Sequence, residues 1–244
     1  MTGSPVTSLH TLLARSPRPA LTWYGDDGER VELSGPVLAQ WVTKAANMLL
    51  EELDAGPGAR VRVDLPGHWR AVVWAMAVWR VGACVVVSDE VGTSPVDAVV
   101  TAAPASFAGR PGVVAVALPA LARSFPGALP DGVLDGSAVL SYGDALGSVP
   151  PVDLDAPALL GPSGAASHAQ LVGPGGSSGR VLVDAAGDGL DTMLRTVLDV
   201  LAAGGSVVLV GGGYAAGLRA DDERRARLVA AERVTAWPGG PTAG

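Results

Sequence analysis

Few residues in this 244-residue chain have side chains and spacing suited to chemistry. Ser163 and His168 could pair as a hydrolase nucleophile and base. No G-x-S-x-G elbow surrounds the serine, and the nearby acids Asp153 and Asp155 lie in a proline-rich stretch, so a dyad is not expected. His10, His68 and His168 show no ligand spacing, and no metal site is expected. His68 follows Pro66-Gly67 at a strand-to-helix turn, the edge where α/β sheets bind ligands. Its expected role there is a cap or a solvent-facing ring. Gly211-Gly-Gly-Tyr214 could cradle an anion, but it lacks a dinucleotide fingerprint and reads as a flexible turn. Cys84 is the only cysteine and sits among valines, so it reads as a small buried apolar residue. A disulfide framework is excluded, which fits a reducing cytoplasm.

The elements that must position these residues follow from hydrophobic pattern. Arg60 to Leu65, the turn Pro66-Gly67, the apolar run Trp69 to Val81, Gly82, and Ala83 to Ser88 read as strand, turn, buried helix, stop and strand. Strands nearly continuous in valine, beside a helix apolar on most faces, imply a parallel sheet covered on both sides. Trp69, Trp74 and Trp79 recur near helical spacing and are expected in the core. Upstream, Gly25-Asp-Asp-Gly28 between two apolar runs predicts a hairpin. Ser34 to Leu53 predicts a helix, with Ser34 as its cap and a left-handed stop at Gly56-Pro-Gly58.

Downstream, short strands are expected at Asp97 to Thr101 and Val113 to Leu118, with one helical turn between Ala102 and Gly112. Pro119 to Phe125 predicts a short helix. Gly127 to Gly179 is rich in Gly, Pro and Ser and too long for an idle loop, so it is read as functional or eroded. Strands at Arg180 to Asp184, Ser206 to Val210 and Val234 to Trp237 alternate with helices at Leu190 to Leu201 and Asp221 to Glu232. Asp221–Arg225 and Glu223–Arg227 are expected to pair across the last helix. The class is α/β with largely parallel sheets and helices on both faces.

The net charge is −7 and the seventeen basic residues are scattered, so nucleic acid is not an expected partner. The Trp69 to Val81 run is too short to cross a bilayer and is interrupted by Arg70 and Arg80. No basic region followed by an apolar run opens the chain, so no secretory signal is seen and a cytoplasmic place is expected.

Four stretches in this order resemble the N-terminal region of the acyl-adenylate-forming (AMP-binding) superfamily, the acyl-CoA synthetases and adenylation domains. They are Arg18-Pro-Ala-Leu21 with Val31-Glu-Leu-Ser34; Gly56-Pro-Gly-Ala-Arg-Val61 with Leu65-Pro66; Ala77-Val-Trp-Arg-Val-Gly-Ala83; and Leu201-Ala-Ala-Gly-Gly-Ser-Val-Val208 with Glu232-Arg-Val-Thr235. The resemblance implies two lobes, one of residues 58–175 and one of residues 6–56 packed with 176–244. It also implies a phosphate loop of the form S-G-T-T-G-x-P-K. Aligned to it, Ser163-Gly-Ala-Ala-Ser-His-Ala-Gln170 has alanines for both threonines, Ser167 for the glycine and Gln170 for the lysine. Ser163, Gly164, Ser167 and Gln170 are therefore vestigial phosphate-loop positions. No Y-G-x-T-E motif, ribose aspartate or C-terminal lysine follows before Gly244.

The expectation is a truncated, non-catalytic member with a binding or scaffolding role and an unidentified protein partner. No cofactor is expected, with ATP or AMP as a vestigial ligand. The alternatives are a residual nucleotide or acyl-adenylate binder, or an acid–thiol ligase component that needs a second chain.

Overall fold

A computed structural model describes residues 4–87 and 95–238. The chain begins with α1 (Pro5–Arg15), the hairpin β1 (Pro19–Tyr24) and β2 (Arg30–Ser34), and α2 (Gly35–Leu53). Next come β3 (Arg60–Asp64), α3 (Trp69–Arg80), β4 (Cys84–Val86), β5 (Ala98–Thr101), β6 (Val113–Ala115) and β7 (Leu134–Asp135). The hairpin β8 (Pro157–Gly161) and β9 (Gly164–Ser167) leads to β10 (Arg180–Asp184), α4 (Leu190–Ala202), β11 (Ser206–Val210), α5 (Gly212–Ala220) and α6 (Asp222–Glu232).

The described strands form two sheets. The larger runs β7-β6-β5-β3-β4-β8-β9, and only β9 is antiparallel to its neighbour. The smaller runs β10-β11-β1-β2, again with one antiparallel edge, β2. The class is thus α/β with mostly parallel sheets. The larger sheet draws on residues 60–167. The smaller one draws on the start of the chain and on residues after 180.

One core joins both sheets, because α3 is buried along every residue from Trp69 to Trp79. A helix with no wet face must be covered all round, and α2 supplies much of that cover while also touching β1 and β2. Further from α3, α1 packs along α2 and meets α4. On the small sheet, side chains alternate between faces with a period of two. Val181, Val183, Val207 and Leu209 join the shared core. Leu182, Val208 and Val210 join a separate cluster under α5 and α6 with Ala215, Leu218 and Leu228.

Several local expectations are corrected. The left-handed stop of α2 is Asp54, at φ 49°, not Gly56. Ser34 stands at the cap position, but its side chain makes no capping bond. Pro119 to Phe125 is not helical. The carbonyls of Leu118, Pro119 and Ala120 accept instead from the Arg70 guanidinium. Residues 234–237 make a single bridge, Ala236 to Val181, and Pro238 then has no N–H to extend it. Gly127 to Gly179 is folded, holding β7, β8, β9 and two short 3-10 turns. Asp221 caps α6 through the Arg224 N–H, so Arg225 pairs with Asp222, while Arg227 pairs with Glu223 as expected. Ser88, the predicted end of the strand after α3, lies outside the described residues.

The sheets meet where β3 turns into α3. A Cβ on Gly67 would fall onto the Ala185 carbonyl, just past the end of β10. Gly67→Ala should therefore cost about 1–3 kcal/mol through forced overpacking, read from urea midpoints. Gly56→Ala, with nothing within 4 Å of the new methyl, should be close to neutral.

Candidate functional site

In parallel α/β sheets the ligand edge lies beyond the carboxyl ends of the strands. Here β1, β3, β8, β10 and β11 all end at the junction of the two sheets. Of the residues singled out by the sequence, Ser163, His68 and Gly211 to Tyr214 fall at that edge, and this chain's own side chains meet them there.

The hairpin β8–β9 stands where a phosphate loop is expected. Its ladder pairs Leu159 with Ala166, Leu160 with Ala165 and Gly161 with Gly164, leaving only Pro162 and Ser163 in the turn. Gly164 takes φ 114°, which closes so short a turn and is open to glycine. Ser163 donates its N–H at 2.7 Å and its hydroxyl at 2.5 Å to one oxygen of Asp191, in the first turn of α4. Ser167 and Gln170 lie at the far end of β9. There Ser167 caps a 3-10 turn, and the Gln170 side chain accepts its N–H at 3.0 Å.

The four positions predicted for one loop are thus divided between a tight turn and a capping box. The physical reason is the ladder, which makes Ala165 and Ala166 strand residues and leaves no open loop. Burial pushes the Asp191 carboxyl up, but bonds from the Ser163 hydroxyl, the Ser163 N–H and nearby backbone N–H groups outweigh it and hold it below the usual range. A carboxylate at a helix start also gains from the helix dipole.

Three further contacts close the edge. His68 caps α3, its Nδ1 accepting the Arg70 N–H at 3.2 Å. It is buried, not solvent-facing, with Trp23 4.6 Å away edge-on. Burial, then the charge of Arg70, push its pKa down to about 4 against the pull of Asp27. The ring is therefore neutral at pH 7. Glu29, from the β1–β2 turn, accepts the Ala120 N–H at 2.7 Å. Asp26 from the same turn accepts the N–H groups of Gly213 at 3.2 Å and Tyr214 at 2.7 Å.

The stretch read as a flexible Gly-Gly-Tyr turn is therefore the start of α5. Its N-terminus is an anion site, already taken by Asp26. No local pattern announces this helix, because only Ala215 and Leu218 are buried along it and its capping group lies far away in sequence.

The remaining candidates are held in structural roles or buried, and the His168 ring nitrogens have no hydrogen-bond partner among the described residues. His10 Nε2 lies 3.0 Å from the Ala39 carbonyl and 2.9 Å from the Thr43 hydroxyl. His168 is buried, and the Ser163 hydroxyl is bonded to Asp191, so these two do not form a dyad. Burial pushes the Cys84 thiol up to about 11, as an inert core thiol requires. Trp79 donates to the Ala158 carbonyl at 2.7 Å. Among the described residues no group of three or more His, Cys, Asp or Glu could hold a metal ion. Nor is any described helix long and apolar enough to cross a membrane.

A cleft of about 480 Å³ lies at the opposite end of the small sheet, by the starts of β1, β10 and β11. Beside it the buried Glu232 accepts from Tyr24 at 2.5 Å and from Arg30 at 3.0 Å, and pairs with Arg180. Burial pushes the Glu232 carboxyl up, but these three donors outweigh it and bring it down to about 2.

Two parallel sheets sharing a buried helix, with a hairpin at their junction, make up the fold of the N-terminal region of the adenylate-forming enzymes. The chain matches an acyl-CoA synthetase of Brucella canis with a TM-score of 0.73 at 20% identity, over 96% of this chain and 46% of that one. It matches the inhibitor-bound N-terminal domain of FACL13 from Mycobacterium tuberculosis at 0.63 and 15%, over 97% and 62%. It also matches the NpsA N-terminal subdomain of Klebsiella oxytoca, in complex with 3-hydroxybenzoyl-AMSN, at 0.60 and 15%, over 90% and 58%. The chain spans about half the length of full-length ligases and synthetases of this fold. No family model matches it. It is 35% identical over 233 residues to a TIGR03089 family protein of Mycobacterium tuberculosis H37Rv, covering 89% of this chain and 90% of that relative. The chain belongs to the TIGR03089 family.

The buried His68 sets a pH dependence. Unfolded, it takes up a proton near pH 6.5, whereas the folded ring resists protonation to about pH 4. Stability should thus be full above about pH 6.5 and fall as pH drops toward 4. His68→Asn keeps a capping acceptor and should flatten part of that fall in denaturant titrations run from pH 7 to 4. An unchanged slope would remove His68 from the account.

Proposed function

We propose that this protein is a short, non-catalytic form of the adenylate-forming fold that works by binding or scaffolding, with another protein as its partner. The observation that carries this reading is Asp191, whose carboxylate takes both the N–H and the hydroxyl of Ser163 in a two-residue turn. A triphosphate is held by backbone N–H groups, hydroxyls and cations. At this turn the donors already face an anion that the chain supplies itself. The only lysine, Lys44, sits on α2, paired with Asp144 at 2.9 Å and bonded to the Tyr142 carbonyl. Arg70 is spent on three backbone carbonyls. Adenylation depends on preorganised positive groups around the reacting phosphate, and this edge gives little support for that chemistry. Relatives at 12–20% identity inform the fold, and their substrates are not carried over. The buried, unpaired Cys84 favours a reducing, cytoplasmic setting.

A second reading, a residual nucleotide or acyl-adenylate binder, is favoured by Arg195. Its guanidinium donates to the Gly164 carbonyl at 3.3 Å and so places a cation beside the turn. In a third, the chain is half of an acid–thiol ligase completed by a second polypeptide.

Pyrophosphate exchange and calorimetry with ATP, AMP and an acyl-AMP analogue separate these. No exchange and no heat are expected from the protein alone. Nucleotide heat that Arg195→Ala abolishes would establish the second reading. Exchange by the single chain would overturn the non-catalytic reading. Exchange that appears only with a partner captured from the native lysate would establish the third.

A further inference from the structure

The cleft at the starts of β1, β10 and β11 plays no part in the edge described above. Its volume, about 480 Å³, falls within the usual range for small-molecule sites, roughly 300–1,000 Å³. Leu12, Leu13 and Leu201 give it an apolar floor. Leu12 is 44% exposed, one of the few large apolar side chains left open to water.

The cleft's charges are Arg18, Arg30, Arg180 and Arg233 against Glu32 and Glu232, a surplus of two positive groups in a chain of net charge −7. Arg30 and Arg180 are spent on the two glutamates. The side chains of Arg18 and Arg233 have no hydrogen bond or ion pair among the described residues. Arg233 is fixed on the rim as the left-handed C-cap of α6, at φ 53°.

The C-terminal ends of α1, α4 and α6 also face this cleft, and helix C-termini favour cations. Part of that demand is met internally: the Ser16 N–H bonds the Leu13 carbonyl, and the Gly204 N–H bonds the Leu201 carbonyl. Two unpaired guanidiniums over an apolar floor remain. Guanidinium binds carboxylate and phosphate through paired N–H donors.

We propose that this cleft binds an amphipathic organic anion, its carboxylate or phosphate head held by Arg18 and Arg233 and its apolar body lying against Leu12, Leu13 and Leu201. The proposal does not depend on whether the strand-end edge binds nucleotide, and the two are tested with different ligands and different variants.

The probes are octanoate and octyl phosphate, with octanol and inorganic phosphate as the tail-only and head-only controls, titrated calorimetrically into the full chain. Both amphiphiles should bind, each at least about tenfold tighter than either control, a difference of about 1.4 kcal/mol. Arg18→Gln combined with Arg233→Gln should weaken them about tenfold or more. Leu12→Glu, a second exposed position, should do the same by placing a negative charge on the floor. Arg123→Gln, at an exposed site that does not line the cleft, should change nothing.

Absence of binding by both amphiphiles, or equal binding by the double variant, would overturn the proposal. So would a wild type that binds no anion together with a double variant of lower melting temperature, which would assign the arginines to the helix ends alone. Inorganic phosphate binding as tightly as octyl phosphate would overturn the apolar half. If octanoate and octyl phosphate differ, the tighter one names the head group.

Discussion

The close approach of Gly67 to the Ala185 backbone is the constraint on which the rest of this structure depends. It locks the turn leading out of β3 against the turn leading out of β10. Two parallel sheets are thereby brought together at their carboxyl ends. A buried helix has to lie between them, and α3 is that helix, apolar enough to be covered on every side. Any side chain at position 67 would push the sheets apart at the place where α/β proteins keep room for a ligand.

With the sheets held so closely, the edge between them is filled from within. Asp26 sits on the start of α5, Asp191 on the β8–β9 turn, and His68 on the start of α3. Two are carboxylates on backbone N–H donors, the role a phosphate would play. Backbone N–H donors at this edge thus face carboxylates of the chain itself. At the small sheet's other end the side chains of Arg18 and Arg233 have no partner among the described residues.

Much of the framework is legible in the sequence because it rests on local pattern. Valine runs mark β3, β5, β6, β10 and β11. The apolar stripe and bounding glycines mark α3 and α4, and Asp-Gly marks the first hairpin. The misses share one cause. Pro119 to Phe125 has helical spacing, but its carbonyls go to Arg70, whose stem starts on α3. Helix α5 has no amphipathic stripe, and its cap comes from Asp26, nearly two hundred residues earlier. Separately, Ser163 to Gln170 lies partly in β9, paired with β8, a placement its residue types leave open.

Apart from a likeness carried by four short motifs, the sequence alone determined the class of fold, most of the framework elements from β1 to β6 and from β10 to α4 and β11, and the burial of Cys84 and of the tryptophan helix. These follow from side-chain period and from short-range turn chemistry, both of which are written along the chain. Only the tertiary structure decided what occupies the ligand edge. Which donor meets which acceptor there depends on residues brought together across tens to hundreds of positions: Ser163 with Asp191, Tyr214 with Asp26, Gly67 with Ala185. No local pattern encodes such pairs, because each is fixed by strand pairing or sheet packing between segments far apart in the chain.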